Sequence, residues 1–150
     1  RQLEKLGCHG IVLSGGFTSK TPFYLMRGNI PLKGMIENGE NSAERLTMRL
    51  FGPAIVKAYK FEPNFFLNQA RAVRKEVKVP LIYLGGVNSL DGINEIMNSG
   101  FEAIALARPL IYDAEFITKL KDGSISESGC NRCNECVLEM NRGGVRCTQI

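Results

Sequence analysis

Residues 80 to 109 read PLIYLGGVNSLDGINEIMNSGFEAIALARP, and this stretch decides the fold class. Leu81 to Leu84 and Ala103 to Leu106 are short continuous apolar runs, the pattern of strands covered on both faces in a parallel sheet or barrel. Between them Leu90, Ile93, Ile96 and Met97 recur at helical spacing, and Ser99-Gly100 ends the helix where a short loop should return to the sheet. The stretch is one right-handed βαβ unit. Its first strand ends at Gly85-Gly86 and its second at Ala107-Arg108. Gly85 and Gly86 carry no Cβ, so main-chain N–H groups there can approach an anion, and Arg108 adds a permanently charged forked donor. The helix is expected to open at Asn88 or Ser89 and to contribute free N–H groups of its own. Either strand end taken alone is ordinary punctuation or a surface arginine. Two on adjacent strands, with a helix between, read as a phosphate site.

Working outward, His9 to Gly16 repeats the design as an apolar run stopping at a glycine pair, preceded by a helix tail in residues 1 to 6. Gly15-Gly16 reads as a turn leaving room for a ligand. Residues 64 to 78 place Phe66, Ala70, Val73 and Val77 on one helical face, an amphipathic helix outside the sheet. After Pro109, Asp113 is expected to cap a helix whose Phe116, Ile117 and Leu120 face inward, stopped by Asp122-Gly123. The excursion from Phe17 to Phe61 carries turn signals at Thr21-Pro22, Gly28-Asn29, Lys33-Gly34 and Asn38-Gly39. Within it residues 42 to 58 can hold a helix, interrupted at Gly52-Pro53, whose Leu46, Met48, Leu50, Phe51, Ile55 and Val56 call for burial. A long loop after a parallel strand is usually functional.

The tail carries Cys130, Cys133, Cys136 and Cys147, spaced C-x2-C-x2-C-x10-C. Four thiolates at such spacing can close a tetrahedral zinc site or hold a four-iron cluster, and disulfides or free thiols are the alternatives. Asn131, Arg132 and Asn134 keep the loop polar, and Gly143-Gly144 turns the chain back to deliver the fourth cysteine. Cys8, apart from the others, reads as a small buried side chain. His9, the single histidine, lies at the end of its strand opposite the glycine pair and is assigned no catalytic role.

The Gly-Gly strand ending, the Ala-Leu-Ala-Arg-Pro ending of the next strand and the cysteine-rich tail resemble the C-terminal part of the old yellow enzyme family, the FMN-dependent NADH:flavin oxidoreductases. The likeness is clearest from Val79 to Cys147. It implies an α/β fold, the C-terminal portion (about three βα units) of a TIM (β/α)8 barrel, with these strands as the sixth, seventh and eighth. On that reading residues 1 to 123 are a partial FMN-binding barrel and residues 124 to 150 a Cys-rich tail. The resemblance implies that Gly85, Gly86, Ala107 and Arg108 contact the FMN phosphate. Ala107 stands where the family often has glycine. One branch, similar to trimethylamine dehydrogenase and dienoyl-CoA reductase, binds a [4Fe-4S] cluster through a cysteine set with a slightly longer last spacing, which makes Cys130, Cys133, Cys136 and Cys147 the metal-ligating candidates here.

The implied parent is a flavoprotein oxidoreductase passing hydride from NAD(P)H through FMN to an acceptor such as an activated alkene. The family's catalytic residues lie on earlier strands, so no catalytic residue is assigned to this chain, whose own activity stays open. The alternatives are a non-catalytic phosphate- or metal-binding barrel fragment completed by another chain, and a different phosphate-binding barrel. Three parallel strands cannot close a barrel, and a chain starting at Arg1 inside a helix reads as a piece of a longer protein. Its open edges predict self-association or completion by the rest of the barrel. The 44% hydrophobic and 23% charged content fits a cytoplasmic enzyme of small-molecule substrates without a membrane partner. A net charge of +4 on scattered helix surfaces, without a basic aromatic stripe, excludes nucleic acid.

Overall fold

The computed structural model describes residues 1–15 and 24–150, so Gly16, Thr21-Pro22 and the start of the excursion lie outside the described residues. Three parallel strands, β1 (Ile11–Ser14), β2 (Leu81–Leu84) and β3 (Ala103–Ile104), form one sheet in the order β1-β2-β3. Ile11 pairs with Leu81 and Ile82 with Ala103, so all three strands run to the same end of the sheet. β3 is short by this measure, although Ala105 N still donates to Tyr83 O at 2.8 Å.

Before β1 lies the single turn α1 (Gln2–Lys5), and the excursion supplies α2 (Leu32–Glu37) and α3 (Ser42–Ile55). α4 (Leu67–Arg74) leads into β2, and α5 (Leu90–Asn98) crosses from β2 to β3. After the sheet come α6 (Arg108–Tyr112), α7 (Phe116–Asp122) and α8 (Glu135–Leu138), the last running into a 3-10 turn, Glu139–Asn141. Among the described residues no helix is long and apolar enough to cross a membrane.

The core lies between one face of the sheet and the pair α4 and α5, where Leu67, Ala70, Leu81, Tyr83, Ile96 and Phe101 are all buried. Tyr83 is fully covered between Phe66, stacked at 6.4 Å, and Phe101, edge-on at 5.7 Å. Buried aromatic pairs of this kind add about 0.5–1.5 kcal/mol beyond area burial. Glu102 ties the start of β2 into the unit. Its carboxylate accepts from Leu81 N at 2.6 Å and pairs with the mostly covered Arg74.

Several expectations are corrected. Burial along β2 alternates instead of running continuously, and Val12 of β1 is 53% exposed, because α4 and α5 cover one face and, among the described residues, nothing of comparable extent covers the other. On α5, Leu90 and Met97 lie to the side, since Gly92 and Ile96 mark the inward line. The segment after Pro109 is two helices. Asp113 does not cap α7 as its N-cap residue; its carboxylate instead accepts from Glu115 N at 3.0 Å and from Lys119 Nζ at 2.7 Å. Phe116 and Leu120, four apart, face inward and Ile117 faces out. Pro53 sits inside α3 without breaking it, and of the six apolar residues expected to be buried Val56 is buried and Met48 half-buried, whereas Leu46, Leu50, Phe51 and Ile55 are exposed. Cys8 is half-buried, with its thiol donating to Gly10 O at 3.1 Å.

Candidate functional site

At the C-terminal end of the sheet the loops after β2 and β3 open into a cleft of about 250 Å³. Gly85, Gly86, Ala107 and Arg108 all line it, so the four residues the sequence singles out are brought together. The pairing of β2 with β3 forces this, because adjacent parallel strands deliver their following residues side by side. Leu25, Phe61, Phe65, Leu84 and Leu106 make the walls apolar, and Arg132 closes one side.

Gly85 and Gly86 adopt φ of 154° and 75°. At Gly86 a Cβ would lie 2.8 Å from the Phe65 ring and 2.9 Å from Glu62 O, so both conformation and space require glycine. The loop is held from beneath. The Tyr83 hydroxyl donates to Gly85 O at 2.7 Å and accepts from Phe66 N, while Asn64 N donates to Gly86 O at 3.3 Å. Burial pushes the Tyr83 hydroxyl up to about 12. With both carbonyls tied down, the main-chain N–H groups of Gly85 and Gly86 find no acceptor among the described residues.

The start of α5 offers fewer free donors than expected. Leu90 N donates to Ser126 O at 2.9 Å and Gly92 N to the Ser89 hydroxyl at 3.2 Å. The segment after α7 docks there, bridging Ser89 to Glu127, and takes up Leu90 N, while Gly92 N is taken by the helix's own N-cap. Gly15 is likewise not open space, since a Cβ there would meet Phe66 at 2.9 Å and Tyr24 at 3.1 Å.

Arg108 faces two ways. Its Nη1 donates to Arg27 O at 2.8 Å and to Asn134 Oδ1 at 2.6 Å, and the side chain borders both the cleft and a smaller hollow behind it. Cys130, Cys133, Cys136 and Cys147 all line that hollow, and Cys130 borders the cleft as well. Burial draws the Arg108 guanidinium below its ordinary value, while the thiols of Cys130, Cys136 and Cys133 act the other way. Burial also pushes the Cys136 thiol up, opposed by Arg108 and reinforced by the other three cysteines. The four thiols are therefore one electrostatic group with a cation at its edge. Among the described residues, however, no three histidine, cysteine or carboxylate side chains gather tightly enough to hold a single metal ion.

Asn134 and Arg132, which in the sequence only keep the loop polar, both do more. Asn134 is buried in the left-handed conformation, φ 62°, and its Nδ2 donates to Met26 O and Asn29 O, each at 2.7 Å. It fastens the cysteine loop to the excursion. The signal available was local, since asparagine is the non-glycine residue best suited to that backbone region. Arg132, at φ 61°, lies over the Phe61 ring at 3.9 Å.

No family model and no solved structure matches this chain. A curated protein, the 4,4'-dithiodibutanoate disulfide reductase of Rhodococcus erythropolis, is 34% identical over 135 residues, which are 90% of this chain and 33% of that protein. The chain thus spans about a third of the length of this relative, whose name is that of an oxidoreductase.

Proposed function

We propose that this chain is the C-terminal part of a flavin-dependent oxidoreductase barrel of the old yellow enzyme type, holding the phosphate end of FMN in the cleft at the strand ends. The observation that carries the reading is the convergence of Gly85, Gly86, Ala107 and Arg108 on one cleft with apolar walls. The cleft is smaller than the roughly 300–1,000 Å³ of a complete small-molecule site, which suits one end of a cofactor whose remainder is held by other strands. The N–H groups of Gly85 and Gly86, without an acceptor among the described residues, would bind phosphate oxygens, and Arg108 would offset the charge at the cleft's edge. The surrounding leucine and phenylalanine side chains exclude water and strengthen those contacts.

FMN, when bound, supplies acceptance of hydride from NAD(P)H and its delivery to an acceptor. The relative's name guides the choice of acceptor: an organic disulfide, so that NAD(P)H and one proton reduce R–S–S–R to two thiols. An activated alkene is the acceptor suggested by the family resemblance. Neither assigns a catalytic residue to this chain, and the cytoplasm is the compartment proposed.

For the tail we favour a [4Fe-4S] cluster. Zinc would need four sulfurs about 2.3 Å from one point. A cluster spreads its thiolate ligands over separate irons, and here the four cysteines ring a hollow instead of meeting. The test of the whole reading is the visible absorption of the full-length protein purified without air, before and after dithionite. Flavin bands that bleach on reduction support it. A colourless protein that gains no flavin from added FMN would sink it, leaving a phosphate- or metal-binding barrel piece.

A further inference from the structure

Three guanidinium groups lie near the cleft, and they are not equivalent. Arg27 is partly occupied: its Nη1 donates to Lys60 O, Glu62 stands 3.6 Å away, and Tyr24 and Phe65 flank the group at 4.7 and 4.3 Å, while its buried Nε has no partner among the described residues. Arg108 has one nitrogen committed to Arg27 O and Asn134 Oδ1. Arg132 differs. Among the described residues no carboxylate stands within 4 Å of it and no acceptor takes a hydrogen bond from its side chain, yet it is half-buried over Phe61 and forms part of the cleft lining.

The Phe61 face offsets part of the cost of half-burying this cation and leaves its N–H groups for an acceptor in the cleft. Placement here is built in. Arg132 sits between Cys130 and Cys133, its carbonyl accepts from Asn29 N at 3.1 Å, and Gly28 leaves no room for a Cβ, which would fall 2.4 Å from that same oxygen. The backbone of the cysteine loop is thus clamped to the excursion, and the side chain is directed to the cleft. Arg108 lines the same cleft as Arg132. Two cations on one cleft, with no carboxylate paired to either among the described residues, make a site for a dianion.

We propose that Arg132 is a second phosphate-binding residue, reaching from the cysteine loop to the same phosphate monoester that Gly85, Gly86 and Arg108 receive from the sheet. This rests on the cofactor reading above and extends it: the tail becomes part of the flavin site, and disturbing the cysteine loop loosens the phosphate.

The test compares FMN with riboflavin, which lacks the phosphate, by fluorescence quenching of the full-length protein and of Arg132→Gln and Arg132→Lys. Arg132→Gln is expected to lose roughly ten- to a hundredfold in FMN affinity, the scale of a charge-assisted contact, with riboflavin affinity unchanged. Arg132→Lys should recover part of the loss. An unaltered FMN preference in Arg132→Gln, with the wild type favouring FMN, overturns the role of Arg132 and leaves the cofactor reading standing. Equal binding of FMN and riboflavin by the wild type, or binding of neither, overturns both. A parallel fall in affinity for both flavins, or a lowered unfolding temperature in both variants, would mean a structural role and would also overturn it.

Discussion

Arg108 Nη1 and Asn134 Oδ1 are joined by a 2.6 Å hydrogen bond that links the end of the sheet to the centre of the cysteine loop. Asn134 in turn grips Met26 and Asn29 by their carbonyls, so three separated segments meet on one buried amide. The cleft and the cysteine hollow share a wall because of this contact. A disturbance of either is transmitted through residues that border both.

Asn134→Ala should therefore cost about 2–4 kcal/mol, since it strips two carbonyls of their donor and places alanine in the left-handed region. Asn134→Gly removes the same bonds without the backbone penalty and should be about 1 kcal/mol milder. Urea unfolding of both variants measures this. Losses below about 0.5 kcal/mol in both would show that the amide is not the fastening point.

Gly86→Ala combines a positive φ with collision against Phe65 and the Glu62 carbonyl. Gly123, at φ 77°, has nothing within 4 Å of a Cβ, so Gly123→Ala isolates the conformational part at about 1 kcal/mol. Gly86→Ala is expected to exceed it by a further 1–3 kcal/mol and to abolish FMN binding, while Gly123→Ala leaves binding unchanged. Equal stability loss in the two variants would contradict the steric argument.

The parts legible in the sequence are those fixed by local chemistry. The strand Leu81–Leu84 and the helix after it followed from an apolar run, a serine cap and a glycine stop, and Ser89 is indeed the N-cap. Once β2 and β3 are neighbours, Gly85, Gly86, Ala107 and Arg108 must converge, so the cleft was legible too. What escaped depended on partners far along the chain. Leu90 N at the start of α5 looks free in the sequence but donates to Ser126 O, and Asn134 finds carbonyls more than a hundred positions away. Arg132 between two cysteines looks the same in sequence whether it faces water or the cleft. The apolar side of α3 misled in the opposite sense, for its composition calls for burial that the described residues do not supply.

Tyr83 gives a pH signature. Its hydroxyl ionises at about 12 in the folded chain, against an ordinary value near 10, because burial disfavours the phenolate. A raised acid favours the neutral form in the fold, so between about pH 10 and 12 the unfolded chain releases its proton first. Stability then falls as pH rises, by about 2–3 kcal/mol across that window, and is unaffected by this group below it. Tyr83→Phe should be less stable at neutral pH, having lost the bonds to Gly85 and Phe66, and its unfolding should be flatter between pH 10 and 12. Chemical denaturation at pH 8, 10 and 11.5 distinguishes the two. A wild type and variant with parallel pH profiles would mean that the hydroxyl is not held as described.

The cysteine tail yields the last test. Cys130, Cys133, Cys136 and Cys147 border one hollow, whereas Cys8 lies before β1 with its thiol turned to Gly10. If the four hold a cluster, full-length protein purified without air should contain about four irons and about four acid-labile sulfides per chain. Cys136→Ser should lose most of both, since an alkoxide is a poor substitute for a thiolate toward iron, and Cys8→Ser should lose neither. Because the hollow shares Arg108 and Cys130 with the cleft, Cys136→Ser should also weaken FMN binding by several-fold, through loosening of the loop that carries Arg132. About one zinc per chain, with no iron, would replace the cluster by a tetrahedral site. Metal-free protein with unchanged FMN affinity in Cys136→Ser would show the tail to be neither a metal site nor a support for the flavin.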